Sequence, residues 1–268
     1  MRLPSEAFSA DAVEGRITLV GYLPAGYPGE KDYLAAAKEM SAAGFRILEI
    51  GIPPAAAGLD GRIIEEAMST VGRAGMDLQT ALALGADAAS AYGMAAVGLL
   101  YYECLRASGT SRTLELFASS AVRAILVPDM PAEEWAGYAQ EAVRLGIEPV
   151  GFIPPGADRD GVARIAASAR GFLYVPSYAG KTGSSFGMNE ALQERFSMIK
   201  SAAARSGLPV AVGFGLRNAK DIEAVRALGA NGAVVGTALV EAAGKGAEAL
   251  KDLLRRMTAG RGSPAWKS

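Results

Sequence analysis

The sequence predicts an α/β protein built as one (β/α)8 TIM barrel, a single domain over residues 1–268. Three observations predict it. Short apolar runs alternate with longer amphipathic stretches along the whole chain, the pattern of repeated β-α units. Most of these runs are near-continuously hydrophobic rather than alternating, as parallel strands covered on both faces must be. Eight strand-plus-helix units then average roughly 30 residues each, the size of a β-α unit. A doubly wound open sheet is the alternative. Against it, Gly26 and Gly29 with their neighbours do not make a GxGxxG turn after the first run.

The first strand is expected at Ile17–Leu23 (ITLVGYL). A helix over Lys31–Ala43 follows, with apolar positions three and four apart and Gly44 as its stop. The next strands are Arg46–Ile52 (RILEIGI), Ala95–Tyr102 (AAVGLLYY) and Ala124–Asp129 (AILVPD). A second clear helical pattern, Ala132–Leu145, stops at Gly146 and leads to a strand at Pro149–Ile153. Gly171–Val175, Pro209–Gly215 and Gly232–Val235 complete the eight. Asp158, Asn189 and Asn218 each stand just before a helical run, where a side-chain oxygen can accept a free backbone N–H. No linker or low-complexity stretch divides these units, and only the last residues (GRGSPAWKS) look loose.

Composition narrows the chemistry. The chain carries 27 Lys+Arg against 28 Asp+Glu, so there is no electrostatic case for binding nucleic acid or a membrane surface. It has no histidine, which excludes a Ser-His-Asp or Cys-His mechanism and any His-ligated metal. Its one cysteine, Cys104, permits neither an intramolecular disulfide nor a thiolate zinc cluster, and it suits a reducing cytoplasm. No signal-peptide core is visible at the N-terminus, and no apolar run reaches the ~18 residues of a membrane span. A cytoplasmic protein without a metal centre is expected. Its chemistry must rest on Asp, Glu, Lys, Arg, Tyr, Ser and Thr.

In such a barrel the active site lies at the carboxyl ends of the strands. Glu49 stands there inside the apolar run ILEIGI, where desolvation raises a carboxyl pKa toward the range useful for proton transfer. The alternative is a glutamate buried in a structural hydrogen-bond network. Asp60, in GLDGR, reads on its own as an ordinary Asp-Gly turn, and Asp129 as a helix cap or loop support as readily as a catalyst. Glycine-rich segments follow the last three strands: Ala179–Ser184 (AGKTGS), Gly213-Phe214-Gly215, and Gly236-Thr237. Bare glycines let backbone N–H groups approach an anion, and barrels often bind phosphate after the last two strands. A phosphorylated small molecule is the expected ligand. Lys181 reads as a loop residue and Cys104 as packing. Tyr22, Leu100, Tyr102, Phe152, Ile153, Tyr174 and Phe214 would line an apolar mouth, or simply fill the core.

With these residues the chain resembles the alpha subunit of tryptophan synthase over nearly its whole length. The resemblance is carried by LVGYLPAGYPG, AGFRILEIGIP, VGLLYY, ILVPDMPAEE, IPPGAD, FLYVPSYAGKTG, VAVGFGLRNAKD and GAVVGTALV, and by the spacing from Glu49 to Asp60. It implies the same barrel and a retro-aldol cleavage of indole-3-glycerol phosphate to indole and glyceraldehyde 3-phosphate, without metal or organic cofactor. By resemblance, Glu49 is the general acid/base and Asp60 holds the indole N–H. Tyr174 and Thr182 position the substrate, while Gly183, Gly215, Gly236 and Thr237 hold the phosphate. Tyr22, Leu100 and Phe214 border the indole, and Tyr102 at the end of its strand is a further candidate for binding the substrate.

The chain also departs from the family. The loop usually close to PFSDPLADGP reads Pro53-Pro54-Ala55-Ala56-Ala57-Gly58-Leu59-Asp60-Gly61-Arg62. Pro24 and Tyr27 replace a usual Thr and Asp, and Cys104 stands where Asn is common. The family loop contacts a beta subunit, so its change over 54–59 predicts weakened coupling to that partner before any loss at Glu49. Two alternatives stay open: a related lyase or isomerase acting on another phosphorylated substrate, or an idle barrel that binds and tunes a beta-like subunit.

Overall fold

Strands form where aliphatic side chains fill both faces, since one face meets the barrel interior and the other the helices. Thus β1 (Thr18–Pro24) is buried at every position and β2 (Phe45–Gly51) at all but Arg46. A computed structural model describes residues 2–54, 60–176, 190–213 and 215–259, with the backbone alone for 190–192. The further strands are β3 (Ala95–Leu99), β4 (Ala124–Leu126), β5 (Glu148–Pro149), β6 (Gly151–Phe152), β7 (Leu173–Pro176), β8 (Val210–Gly213) and β9 (Gly232–Val235). All pairings are parallel, in the order β5-β4-β3-β2-β1-β9-β8-β7-β6.

β5 and β6 are the two halves of the single strand expected at 149–153. Val150 N–H donates to Ile125 O at 2.9 Å and Gly151 N–H to Phe172 O at 3.1 Å. One short stretch is therefore bonded to β4 on one side and β7 on the other, and the ring of eight closes through it. Several expected boundaries move, and among the strands two shift most. The third strand stops at Leu99 instead of Tyr102, and the fourth at Leu126 instead of Asp129.

The helices between are α1 (Pro4–Val13), α2 (Glu30–Ala42), α3 (Arg62–Arg73), α4 (Leu78–Ala91), α5 (Tyr102–Ser108), α6 (Thr110–Ser119) and α7 (Trp135–Arg144). Then come α8 (Arg159–Ser168), α9 (Glu190–Ser206), α10 (Ala219–Ala227), α11 (Thr237–Gly244) and α12 (Ala247–Thr258). Asp158 caps α8 by accepting Gly161 N–H at 2.7 Å. Asn218 caps α10 by accepting the Lys220 and Asp221 N–H groups, and Asp221 accepts Asn218 N–H in return. Asn189 lies outside the described residues. Among the described residues, no helix is long and apolar enough to cross a membrane.

Inside the ring, Val20, Ile47, Val97, Val150, Phe172 and Val234 form an inner core. Its amino end is covered by α1, whose Phe8 packs on Phe172 with ring centroids 5.2 Å apart. A Cβ at Gly232 would stand 2.7 Å from the Phe8 ring, so the bare glycine makes the room for this plug. Asp11 of α1 is buried and ion-paired with Arg16 at 2.9 Å and Arg46 at 3.5 Å, which fixes the helix across the barrel floor.

Candidate active site

Side chains alternate along a strand, so Glu49 shares the inward face of β2 with Ile47, one layer nearer the carboxyl end. It pairs in register with Tyr22 of β1 and Val97 of β3. Only 2 % of Glu49 is exposed, and its Oε1 has no hydrogen-bond partner among the described residues. Burial, reinforced by the nearby Asp60 charge, pushes its carboxyl up to about 8. At neutral pH this group holds a proton.

Asp60 stands two residues before α3, half-buried at the same end of the barrel. Burial raises its carboxyl, while a hydrogen bond from the Tyr101 hydroxyl works in the opposite direction and favours the ionised form. Its Oδ2 is buried without a partner among the described residues. The Tyr22 hydroxyl is likewise buried and unpartnered, and it lies over Gly51, where a Cβ would overlap it. Tyr174 stacks on Phe152 with centroids 5.6 Å apart, and its hydroxyl lies 2.7 Å from where a Cβ of Gly213 would be. Burial first, and then the charges of Asp60 and Glu49, keep the Tyr22 phenol protonated. Tyr174 is held the same way. Two carboxyls and three phenols thus share the mouth of the barrel.

The start of α11 adjoins this cluster, since a Cβ at Gly236 would lie 3.9 Å from the Tyr22 side chain. Gly236 is the N-cap and Thr237 the first helical residue, so their end of the helix presents free backbone N–H groups. Gly215, just past β8, takes a left-handed φ of +61°, which favours glycine. Leu100 is fully buried in the main core, with its N–H on Leu126 O at 3.1 Å. Thr182, Gly183 and Phe214 lie outside the described residues, as do Lys181 and the loop 55–59.

Tyr102 is placed differently from its neighbours in this group. It opens α5, its N–H donates to Asp129 Oδ1 at 2.8 Å, and its hydroxyl donates to Glu134. Its charged neighbours are Glu134, Arg106 and Glu133. Asp129 accordingly serves as a helix cap. The tyrosine that reaches Asp60 is Tyr101, which sequence reasoning missed. The pair Tyr101-Tyr102 carries no local signal for which of the two faces inward; that depends on β3 stopping at Leu99.

The family model for the tryptophan synthase alpha chain matches residues 8–263. The chain belongs to that family. The tryptophan synthase alpha chain of Methanopyrus kandleri is 34% identical over 228 residues, covering 85% of this chain and 81% of the relative. That of Synechococcus elongatus is 31% identical over 236 residues, covering 88% of each. Among solved structures, Mycobacterium tuberculosis tryptophan synthase matches with a TM-score of 0.84 and 27% identity, over 96% of this chain and 97% of that one. A tryptophan synthase complex from Pyrococcus furiosus matches with a TM-score of 0.78 and 26% identity, over 90% and 97%. The TIM barrel expected from the sequence is thus the fold of this tryptophan synthase alpha chain family member, with Glu49 buried and Asp60 half-buried at the carboxyl end.

Proposed function

We propose that Glu49 and Asp60 perform the cleavage of indole-3-glycerol phosphate, releasing indole and glyceraldehyde 3-phosphate. Family membership makes the chain a lyase of tryptophan biosynthesis. One observation supports the residue roles: both carboxyls sit in the mouth with an oxygen that has no partner among the described residues. A buried polar atom left open in this way is suited to a ligand.

The environments ask opposite things of the two groups. Glu49, protonated at neutral pH, gives its proton to C3 of the indole. Positive charge then develops at the ring nitrogen, where the Asp60 carboxylate accepts the N–H and stabilises it. The Glu49 carboxylate next takes the proton of the adjacent side-chain hydroxyl as the carbon–carbon bond breaks. The bonding pair returns to the ring, the hydroxyl carbon becomes the aldehyde, and Glu49 is again the acid. Tyr22, Leu100 and Phe214 border the indole in this reading, whereas the Tyr102 hydroxyl is engaged by Glu134. Tyr174 and Thr182 position the glycerol chain. Gly183, Gly215, Gly236 and Thr237 hold the phosphate, the last two through the start of α11.

A beta subunit is the assigned partner, since the Pyrococcus furiosus relative was solved as a tryptophan synthase complex. The Pro-Ala-Ala-Ala stretch from Pro54 removes polar groups from the loop, and weak coupling to that partner follows. A cytoplasmic location accompanies this assignment. The test is indole release from indole-3-glycerol phosphate by the purified protein, with and without a beta subunit. Release that is lost in Glu49→Gln supports the mechanism; full activity in that variant overturns it.

A further inference from the structure

We propose that Tyr101 is a positioning residue for Asp60, holding one oxygen of its carboxylate so that the other faces the bound ring. The inference rests on the assignment of Asp60 to the indole nitrogen and adds to it a residue that the sequence alone does not single out.

Asp60 needs such a hold. The seven residues before it, Pro53 to Leu59, carry no polar side chain that could orient the carboxylate. The support comes instead from the end of the neighbouring strand. Tyr101 is 5 % exposed and occupies the N-cap position of α5 in an extended conformation, φ −91° and ψ 153°. Its phenol reaches Asp60 as a hydrogen-bond donor. Burial and the Asp60 charge both act to keep that phenol protonated, so the donor persists across the working pH range.

The platform is itself held. Tyr101 O accepts Leu105 N–H at 3.1 Å in the first turn of α5, and the next residue is fastened to the loop after β4 through Asp129 and Glu134. One Asp60 oxygen is therefore tied to a helix start braced by two strands, while Oδ2 has no partner among the described residues. A carboxylate held by one oxygen keeps its charge and presents the second oxygen in a fixed direction. That is what an acceptor for a developing N–H cation requires.

Tyr101→Phe removes a single oxygen and keeps the ring. A hydrogen bond to a charged group sets the expected fall in kcat at about 10- to 100-fold. KM should change by less than about threefold, because the interaction matters most as charge develops. Loss of the donor also disfavours the ionised carboxylate, so the acid limb of the kcat/KM profile moves to higher pH. Tyr101→Phe placed on Asp60→Asn should cause no further loss, because the oxygen that Tyr101 directs is gone. Thermal melting of each variant checks that the barrel remains folded.

Carboxylate NMR of Asp60 supplies a readout that needs no turnover: its titration must move upward in folded Tyr101→Phe. An unmoved titration overturns the proposal, as does an equal loss of activity in the wild-type and Asp60→Asn backgrounds. Absence of indole release by the wild-type protein, with the Asp60 titration still shifted, would overturn the function assigned to the site and leave the hydrogen bond established.

Discussion

The role proposed for Glu49 sets chemistry against the stability of the fold. Between about pH 4.5 and about 8 the folded protein keeps the Glu49 proton and the unfolded chain has lost it. The native state then binds more protons, so this group's contribution to stability falls as pH rises and is lowest above about 8. The size is on the order of 3–5 kcal/mol. Glu49→Gln should therefore unfold at higher urea concentration than wild type at pH 9 and nearly the same at pH 5, while losing indole release. Parallel pH dependences in the two proteins would contradict this. The rate has its own signature. In the proposed mechanism Glu49 is the acid and Asp60 the anion, so kcat/KM should fall above about pH 8 and again where the raised Asp60 carboxyl protonates. A profile flat from pH 6 to 10 would rule out this division of labour. Glu49 was legible in the sequence because a carboxylate amid ILEIGI has no other place to go. Asp60 was not, since Asp-Gly is an ordinary turn and its burial comes from other segments.

At the scale of elements, the local rules that were legible are those with short-range causes. Asn218 lies three residues from Asp221, and the reciprocal capping box forms as spacing alone requires. Asn218→Ala should cost about 1 kcal/mol, read as a lower denaturation midpoint with unchanged slope. The plug helix α1 was missed for the opposite reason. Its sequence PSEAFSADAV has little amphipathic pattern, and only Pro4, Ala7, Phe8 and Asp11 are buried. Its stability comes from Phe8 entering the barrel floor against Phe172 and Gly232, contacts far apart in the chain. Phe8→Ala should cost about 3–5 kcal/mol by leaving a cavity there. A change below about 1 kcal/mol would mean that the floor closes without the ring.

For the whole molecule, the ring brings β1, β2, the end of β3, β7 and the start of α11 to one mouth. A ligand held there binds only the folded ring, so it must stabilise the entire barrel. Glycerol 3-phosphate should raise the melting temperature by binding at Gly236 and Thr237. Gly236→Asp, which sets a negative charge at the helix start, should abolish that shift without preventing folding. An equal shift in both proteins would place the phosphate elsewhere.

The residues by themselves determined the alternation of strands and helices, the caps at Asp158 and Asn218, and the burial of Glu49. Each follows from periodicity, spacing or flanking apolarity within a few residues of the position concerned. Only the tertiary structure decided that the fifth strand divides its hydrogen bonds between two neighbours at Val150. It alone decided that α1 seals the floor, and that Tyr101 rather than Tyr102 meets Asp60. The reason is physical: which of two adjacent tyrosines faces inward depends on where β3 ends and α5 begins. That boundary is set by the register of β3 on β2 and β4 and by the carboxylates of the β4 loop that hold Tyr102.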